Sequence, residues 1–306
     1  HDMQSHRTMI MMGWGIQRIQ YGEQSHWMGF ALAAALGQIG LPGGGIGTNY
    51  HYSNGGSPLC TGPFLGGISS GVKPVKPSTL PWKGSQTIPV ARFVDCFLNP
   101  GKTIDFNGTK VTYPEVRLVM WAGGNPFAHQ PDTMKLERAW KKPETVVVTD
   151  TVWTATARHA DIVLPAATVF EHNDITNIGT YSNDGLVAMQ QAIEPQWESK
   201  PDYWIFSELA KRMGLEAAYT EGLDEMGWIK RLYGESQKMG ERIGVKLPGF
   251  AEFWKKGYFL FDVAEKDRNF VAFEAFRKDP KAHSLDTESG LIQLYSPKIA
   301  GYKYAD

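Results

Sequence analysis

The segment from residue 116 to residue 165 constrains the fold most, because strand-like apolar runs alternate in it with helical spacing. The runs are short and rich in β-branched and aromatic residues, which predicts buried strands. The predicted order is strand, helix, strand, helix, strand, over Val116–Trp121, Thr133–Trp140, Thr145–Thr149, 154–159 and Asp161–Leu164. Such alternation predicts an α/β fold with doubly wound, mostly parallel sheets and helices on both faces.

Glycines interrupt the chain directly after the first of these strands. Gly123 and Gly124 are followed by Asn125, Pro126 and then His129. A turn between a strand and a helix can present backbone N–H groups to an anion at the carboxyl edge of a parallel sheet. It can also be a tight connection and nothing more, and both interpretations stay open from the residues alone.

Two carboxylates occupy positions with both a structural and a binding interpretation. Asp150 ends the second strand, where it could accept hydrogen bonds from a ribose hydroxyl or from the N1 and N2 donors of guanine. It could equally cap the helix that follows. Asp202 lies at the start of an amphipathic helix predicted over 201–213, and capping that helix is its default role.

Histidine and arginine side chains near these turns have structural alternatives as well. Neither His129 nor His159 stands in a His-Glu-x-x-His or Cys-x-x-Cys spacing, so hydrogen-bonding or structural roles are favoured over metal binding. Arg158 and Asp161 are expected to form a salt-bridged corner. Arg18 could be a surface arginine or a cationic contact to a phosphate or a substrate oxygen.

The rest of the chain gives a coarser prediction. We expect a first α/β domain over 1–150, with a long Gly/Ser/Pro-rich loop over about 41–88, and a second α/β region over 151–306. The further predicted elements are a strand over Thr8–Gly13, a largely buried helix over Gly22–Gly40, a helix over Val90–Leu98, a hairpin over Ile104–Thr112, a helix over 222–240 and a final strand over Leu291–Tyr295.

Composition excludes several classes of partner. The formal net charge is −1, which argues against nucleic acid or an acidic membrane surface as the main partner. No apolar run reaches the roughly 18 residues of a membrane span.

Cys60 and Cys96 allow one disulfide at most and leave the redox compartment open. No Gly-x-x-x-x-Gly-Lys-Ser/Thr motif is present, which argues against a P-loop nucleotide hydrolase.

Several segments, taken together and in order, resemble the molybdopterin oxidoreductases of the dimethyl sulfoxide reductase type. They are similar to the branch that reduces trimethylamine N-oxide, dimethyl sulfoxide and biotin or methionine sulfoxide, and the likeness covers essentially the whole chain. The matching segments are Gly13-Trp-Gly-Ile-Gln-Arg18, Gly22-Glu-Gln24, Gln38-Ile-Gly-Leu-Pro-Gly-Gly-Gly45, Trp121-Ala-Gly-Gly-Asn-Pro126, Trp153-Thr-Ala-Thr-Ala-Arg-His-Ala-Asp-Ile-Val-Leu-Pro165 and Tyr181-Ser-Asn183.

The resemblance implies a cofactor and the residues that contact it. The cofactor is a molybdenum ion held by two molybdopterin guanine dinucleotides, with Asp150 and Asp202 as the guanine-recognising carboxylates. The resemblance implies that both α/β regions, 1–150 and 151–306, bind the cofactor. It places Arg18 where it would polarise the substrate oxygen and Trp82 in a wall of the substrate funnel. It implies that the cofactor-contacting residues are Trp14, Gln17, Arg18, Gly123, Gly124, Asn125, His129, Asp150 and Asp202.

The resemblance has one local departure and one missing ligand. Relatives often carry His-His-Gln-Asp where this chain has His129-Gln-Pro-Asp132, so Pro131 replaces a glutamine that would touch the cofactor. The family's serine ligand to molybdenum is expected upstream of the matched region, and Ser182 does not take that role. The chain is therefore expected to contain no metal ligand and to be an inactive central fragment, followed in the longer enzyme by a barrel domain.

The resemblance also implies a reaction and partners for the intact enzyme. The reaction is oxygen-atom transfer from an N-oxide or S-oxide to molybdenum, with an electron donor such as a c-type cytochrome. The enzyme would be periplasmic, or cytoplasmic if it is a biotin sulfoxide reductase. Two alternatives are a folded fragment that binds no cofactor and a nicotinamide- or flavin-dependent dehydrogenase. The second lacks a Gly-x-Gly-x-x-Gly motif after a strand.

Overall fold

The computed structural model describes residues 2–17, 22–48, 60–66, 88–106, 108–179 and 182–303. Its α-helices are α1 Asp2–Ser5, α2 Gly22–Ala35, α3 Phe93–Leu98, α4 Pro126–His129, α5 Thr133–Trp140, α6 Asp202–Arg212, α7 Glu216–Thr220, α8 Glu225–Arg242, α9 Phe250–Lys256, α10 Glu274–Lys278 and α11 Pro297–Gly301. Its strands are β1 Met9–Met12, β2 Gly45–Thr48, β3 Cys60–Thr61, β4 Thr103–Phe106, β5 Thr109–Thr112, β6 Leu118–Ala122, β7 Thr145–Asp150, β8 Ile162–Pro165, β9 Asp174–Ile178, β10 Gly185–Met189, β11 Tyr258–Leu260 and β12 Asp262–Val263.

The alternating segment forms a three-stranded parallel sheet in the order β6-β7-β8. Val119 pairs with Val146, and Val148 pairs with Val163, so all three strands end at one edge. The helix predicted over Thr133–Trp140 has these bounds in the structure. The helix predicted over 154–159 is reduced to a 3-10 turn over Ala157–His159, because Ala160 is already extended and the Asp161 N–H donates to the Val146 carbonyl of β7.

The core against this sheet combines aliphatic side chains with a cluster of aromatic rings. Trp140 is 3% exposed and Leu136 is fully buried, both on the face of α5 that packs against the sheet. The Trp140 ring lies 5.6 Å from the Trp121 ring and 5.5 Å from the Phe127 ring, measured between centroids. Because Trp121 precedes the turn after β6 and Phe127 follows it, this cluster holds both ends of that turn.

Other strands pair in both directions. β1 and β2 are parallel, whereas β4-β5 and β3-β12 are antiparallel. A further sheet has the order β11-β10-β9. The α/β class is confirmed, with antiparallel pairs beside the predicted parallel ones.

The chain divides into two compact units. The first comprises residues 1–62, 177–186 and 260–306, and the second comprises 63–176 and 187–259. The boundary predicted at residue 150 falls within the second unit, and the two cofactor-binding domains stay a prediction.

Two further predicted elements differ from the structure. Leu291–Tyr295 forms no strand; the Gln293 carbonyl accepts a hydrogen bond from the Trp27 indole instead of from a strand neighbour. The helix α2 ends at Ala35 and is not largely buried, since Met28 is 67% and Leu32 is 43% exposed. Its small residues Gly29 and Ala33 face inward, where small side chains permit close packing on β1.

Both cysteines are buried and free. Among the described residues, no helix is both long and apolar enough to cross a membrane.

Candidate functional site

Four chain segments meet at the carboxyl edge of the β6-β7-β8 sheet. Three of them follow the strands directly, beginning at Gly123, at Thr151 after Asp150, and at Ala166. The fourth contains Lys200, which forms a parallel bridge with Ala166. The Lys200 N–H donates to the Pro165 carbonyl at 3.1 Å, and the Ala167 N–H donates to the Lys200 carbonyl at 2.9 Å. This bridge brings the start of α6, with Asp202, to the same edge.

The turn after β6 needs its two glycines for their backbone conformation. Gly123 has a φ of 71° and Gly124 a φ of 76°, a region that L side chains rarely adopt. A Cβ atom at Gly123 would meet no atom within 4 Å, so crowding does not explain the glycine. Both residues are exposed, and their backbone is therefore open to a ligand.

Asn125 ties this turn to the loop after β7. Its Oδ1 accepts a hydrogen bond from the Thr156 hydroxyl at 2.6 Å and a longer one from the Thr156 N–H at 3.3 Å. Thr156 is fully buried. The Asn125 oxygen is thus used within the protein, and its amide nitrogen, which donates to none of the described residues, is the group left for a ligand.

The two histidines differ in their surroundings. His129 is exposed at the end of α4 and makes no hydrogen bond to a described residue. His159 stacks on Phe127 with 4.1 Å between ring centroids, and its Nδ1 lies 2.7 Å from the Ala155 carbonyl. These contacts agree with a structural role for His159 and leave His129 available to a ligand.

The salt bridge predicted between Arg158 and Asp161 is wrong. Both residues are described, and each bonds elsewhere: Arg158 Nε donates to the Trp153 carbonyl at 3.2 Å, and Asp161 accepts from the Val146 N–H at 2.8 Å. Asp161 therefore holds the start of β8 against β7 through the backbone, which satisfies its charge without the arginine.

The Asp150 carboxylate is partly used by its own loop. One oxygen accepts from the Thr151 N–H at 2.8 Å, and the other accepts from the Thr154 hydroxyl at 2.7 Å. The Thr154 hydroxyl in turn accepts from the Ala157 N–H at 3.1 Å. Asp150 is half-buried, and each of its oxygens keeps a lone pair. It therefore organises the loop and retains limited capacity for a ligand.

The Asp202 carboxylate is free in the described part of the chain. Asp202 is the first residue of α6, and the N-cap position belongs to Pro201, so the expected side-chain cap does not form. The side chain is exposed and makes no hydrogen bond or ion pair with any described residue. Two acceptor oxygens at a helix N-terminus thus face solvent at the sheet edge.

A cavity of about 380 Å³ opens at this edge. Its lining comes from the loop ends and from the segment that leads to Lys200: Thr151, Pro165, Ala166, Thr168, Glu171, Ile193, Gln196, Trp197, Glu198 and Ser199. Glu171 is 4% exposed and fastens two sides of this lining together. Its carboxylate accepts from the Thr168 N–H at 2.6 Å and from the Gln196 N–H at 2.7 Å.

These backbone donors lower the pKa of Glu171, first through Thr168 and then through Gln196. A carboxylate with a lowered folded-state pKa contributes stability above its unfolded value, near 4.3, and that contribution is lost as the pH falls through the folded value. We therefore expect Glu171→Gln to lower the melting temperature at pH 7, because its amide would face one of the two N–H donors. The difference from the parent should shrink as the pH falls below about 4. Melting curves between pH 3 and pH 7 test this, and a difference independent of pH would contradict it.

The other four predicted residues belong to the first unit or lie outside the described part. Trp14 and Gln17 belong to a 3-10 turn, Trp14–Gln17, in the first unit, where only their backbone is described. Arg18 and Trp82 lie outside the described residues. Within the described residues, no group of three or more His, Cys, Asp or Glu side chains is placed to hold a metal ion.

Sequence analysis missed three residues that shape the site: Thr156, Glu171 and Trp197. Thr156 and Glu171 act through partners 31 and 25 residues away, which no local pattern indicates. Trp197 could have been noticed, because a tryptophan in the polar run Glu194-Pro-Gln-Trp-Glu198 is unusual for a turn.

The sequence model of the molybdopterin oxidoreductase family matches residues 3–212. The chain belongs to this family. It is 52% identical over 301 residues to a dimethyl sulfoxide/trimethylamine N-oxide reductase of Cereibacter sphaeroides, covering 98% of this chain and 36% of the relative. It is 46% identical over 309 residues to a trimethylamine-N-oxide reductase of Haemophilus influenzae, covering 100% of this chain and 37% of that protein.

The chain thus spans little more than a third of the length of these curated relatives. Among solved structures, acetylene hydratase from Pelobacter acetylenicus matches with a TM-score of 0.42 and 22% identity, over 62% of this chain and 23% of that one. A similarity at that level has no bearing on function.

Proposed function

We propose that the carboxyl edge of the β6-β7-β8 sheet binds the guanine nucleotide part of a molybdenum–pterin cofactor. The observation that carries the proposal is the exposed, unpartnered carboxylate of Asp202, two residues after the Lys200 bridge to Ala166; the half-free carboxylate of Asp150 ends the neighbouring strand β7. Guanine presents an N1–H and an N2–H side by side, and a carboxylate accepts such a pair through its two oxygens.

The residues present fit such a group. The Gly123–Gly124 backbone is exposed and has no side chains to obstruct a phosphate, and the Asn125 amide and the exposed His129 lie directly beyond it. The cavity of about 380 Å³ offers the volume for a base and part of a sugar. The net charge of −1 does not repel an anionic dinucleotide strongly.

In this proposal the chain binds and orients the cofactor, and its residues divide that task. Asp202 recognises the base, Asp150 holds the loop after β7 and accepts from the ligand, and Gly123–Asn125 with His129 contact the pyrophosphate and pterin. The same proposal holds that the cofactor contains two guanine dinucleotides and that Trp14, Gln17 and Arg18 face one of them. When bound, the cofactor supplies two-electron redox chemistry.

For the longer protein we propose reduction of an N-oxide or S-oxide, in which the oxide and two electrons and two protons give the amine or sulfide and water. The support is the family membership and the activities for which the relatives are named. Arg18 would polarise the departing oxygen. An electron donor such as a c-type cytochrome and a periplasmic location belong to the same proposal.

The proposal is tested by titrating the purified chain with GMP and, as the control, with AMP, by calorimetry. We expect GMP to bind about tenfold or more tightly, because adenine presents an acceptor where guanine presents N1–H. Equal affinities would contradict guanine recognition. No binding of either nucleotide would favour the alternative, a folded segment that holds no cofactor by itself.

A further inference from the structure

Trp197 is 95% exposed, although tryptophan is among the side chains that gain most from burial. It is the most exposed of the large hydrophobic residues in the described part of the chain. Its indole lies in the lining of the cavity at the sheet edge, together with Thr151 and Ala166. An exposed aromatic side chain in the lining of a concave site is available to stack on a ligand.

The backbone at Trp197 points to the same conclusion. Its φ is 52°, in the left-handed region that favours glycine and is uncommon for a bulky residue. Such conformations persist where the surrounding structure fixes them, and they concentrate at ligand-binding positions. Glycine would adopt this conformation without steric cost, so local folding does not require the indole.

The turn that carries Trp197 is fastened at both ends. The Gln196 N–H donates to the buried Glu171, and the Gln196 carbonyl accepts from the Ser199 N–H at 3.1 Å and from the Ser199 hydroxyl at 2.7 Å. Lys200 then pairs with Ala166. The indole is therefore held on a fixed turn, five residues before Asp202. Among the described residues that line the cavity, Trp197 is the only aromatic one.

We propose that Trp197 is the aromatic surface on which the guanine base stacks while Asp202 binds the edge of that base; this rests on the proposed function. A planar base has two recognisable features, its hydrogen-bonding edge and its π-face. A carboxylate can form hydrogen bonds only with the edge of the base. Stacking on an aromatic side chain recognises the face and tolerates every base. The two residues therefore divide recognition, with Asp202 giving selectivity and Trp197 giving affinity.

The test is nucleotide binding to the full chain carrying Trp197→Gly. We expect the affinity for GMP and for AMP to fall by the same factor, roughly 5- to 100-fold, which corresponds to the loss of one base–aromatic stack. The melting temperature should stay unchanged or rise, since glycine relieves the left-handed backbone. Trp197→Phe should restore most of the affinity.

Two further variants keep the result interpretable. Trp197→Asn tolerates left-handed backbone without an aromatic face, and it serves if the glycine variant fails to fold. Phe273→Gly is the matched control, because Phe273 is also an exposed aromatic residue with a positive φ, of 63°, but lines a different cavity. It should leave nucleotide affinity unchanged.

The outcomes separate this inference from the proposed function. Unchanged GMP affinity in Trp197→Gly, with the parent chain still preferring GMP over AMP, would overturn stacking and leave guanine recognition intact. A loss of GMP binding alone, without loss of AMP binding, would also overturn it, since a stack does not distinguish the bases. Absence of GMP binding by the parent chain would overturn both.

Discussion

Replacing Asp202 with asparagine is expected to lower the affinity for GMP by roughly 10- to 100-fold while leaving AMP binding nearly unchanged. The carboxylate offers two charged acceptors, and hydrogen bonds to a charged group contribute about 1.5–3 kcal/mol. Asparagine keeps one acceptor and places an N–H₂ group opposite a guanine donor. The same variant of the longer enzyme should contain less molybdenum and less pterin after purification.

The fold should survive this substitution. Asp202 is exposed and makes no hydrogen bond to a described residue, so its loss removes only the interaction of a negative charge with the N-terminus of α6, about 0.3–1 kcal/mol. Glu216→Gln is the matched control, because Glu216 is likewise an exposed acid in the first turn of a helix of the same unit. It should leave GMP affinity unaltered.

Asp150→Asn gives a mixed result by comparison. Asp150 accepts from Thr151 and Thr154, so the variant should lose stability as well as affinity. If Asp202→Asn binds GMP as the parent does and the longer enzyme is loaded normally, the assignment of Asp202 to guanine is wrong.

Replacing Trp140 with alanine is expected to lower the free energy of unfolding more than any other substitution proposed for this chain. The side chain is 3% exposed and packs with the rings of Phe97, Trp121 and Phe127. Truncating a buried tryptophan removes its transfer free energy and leaves a cavity, which costs about 3–5 kcal/mol. In a domain of this size the melting temperature should fall by about 6 to 20 °C. Thermal unfolding followed by circular dichroism measures it.

Trp140→Phe separates the packing from the polar atom. The Trp140 Nε1 is buried and has no hydrogen-bond partner in the described structure. Phenylalanine loses some volume but also removes an unsatisfied donor, which by itself costs about 1–3 kcal/mol, so the two effects should largely cancel. Trp153→Ala, at a residue that is 67% exposed, should change stability by less than about 0.5 kcal/mol. A loss in Trp153→Ala equal to that in Trp140→Ala would contradict this account of the core.

Local sequence patterns were enough for the part of the fold that carries the site. The runs over 116–121 and 145–149 predicted strands that the structure has, shifted by two residues or fewer. The glycines at 123 and 124 predicted an open turn, because only glycine readily takes a positive φ. The same reasoning failed at Leu291–Tyr295, since a strand needs a neighbouring strand and a pattern of apolar residues does not supply one.

The sequence by itself determined the order of elements over 116–165, the α/β class and the residue types at the strand ends there, because strand, turn and helix preferences are set within a few neighbouring residues. Only the tertiary structure decided which carboxylate is free. Asp150 and Asp202 look alike in sequence, but the first is used by Thr151 and Thr154 and the second faces solvent. The pairing of Ala166 with Lys200 likewise depends on residues 34 positions apart. Hydrogen bonds across such separations form only when the whole chain packs, and they place Trp197 and Asp202 at one sheet edge.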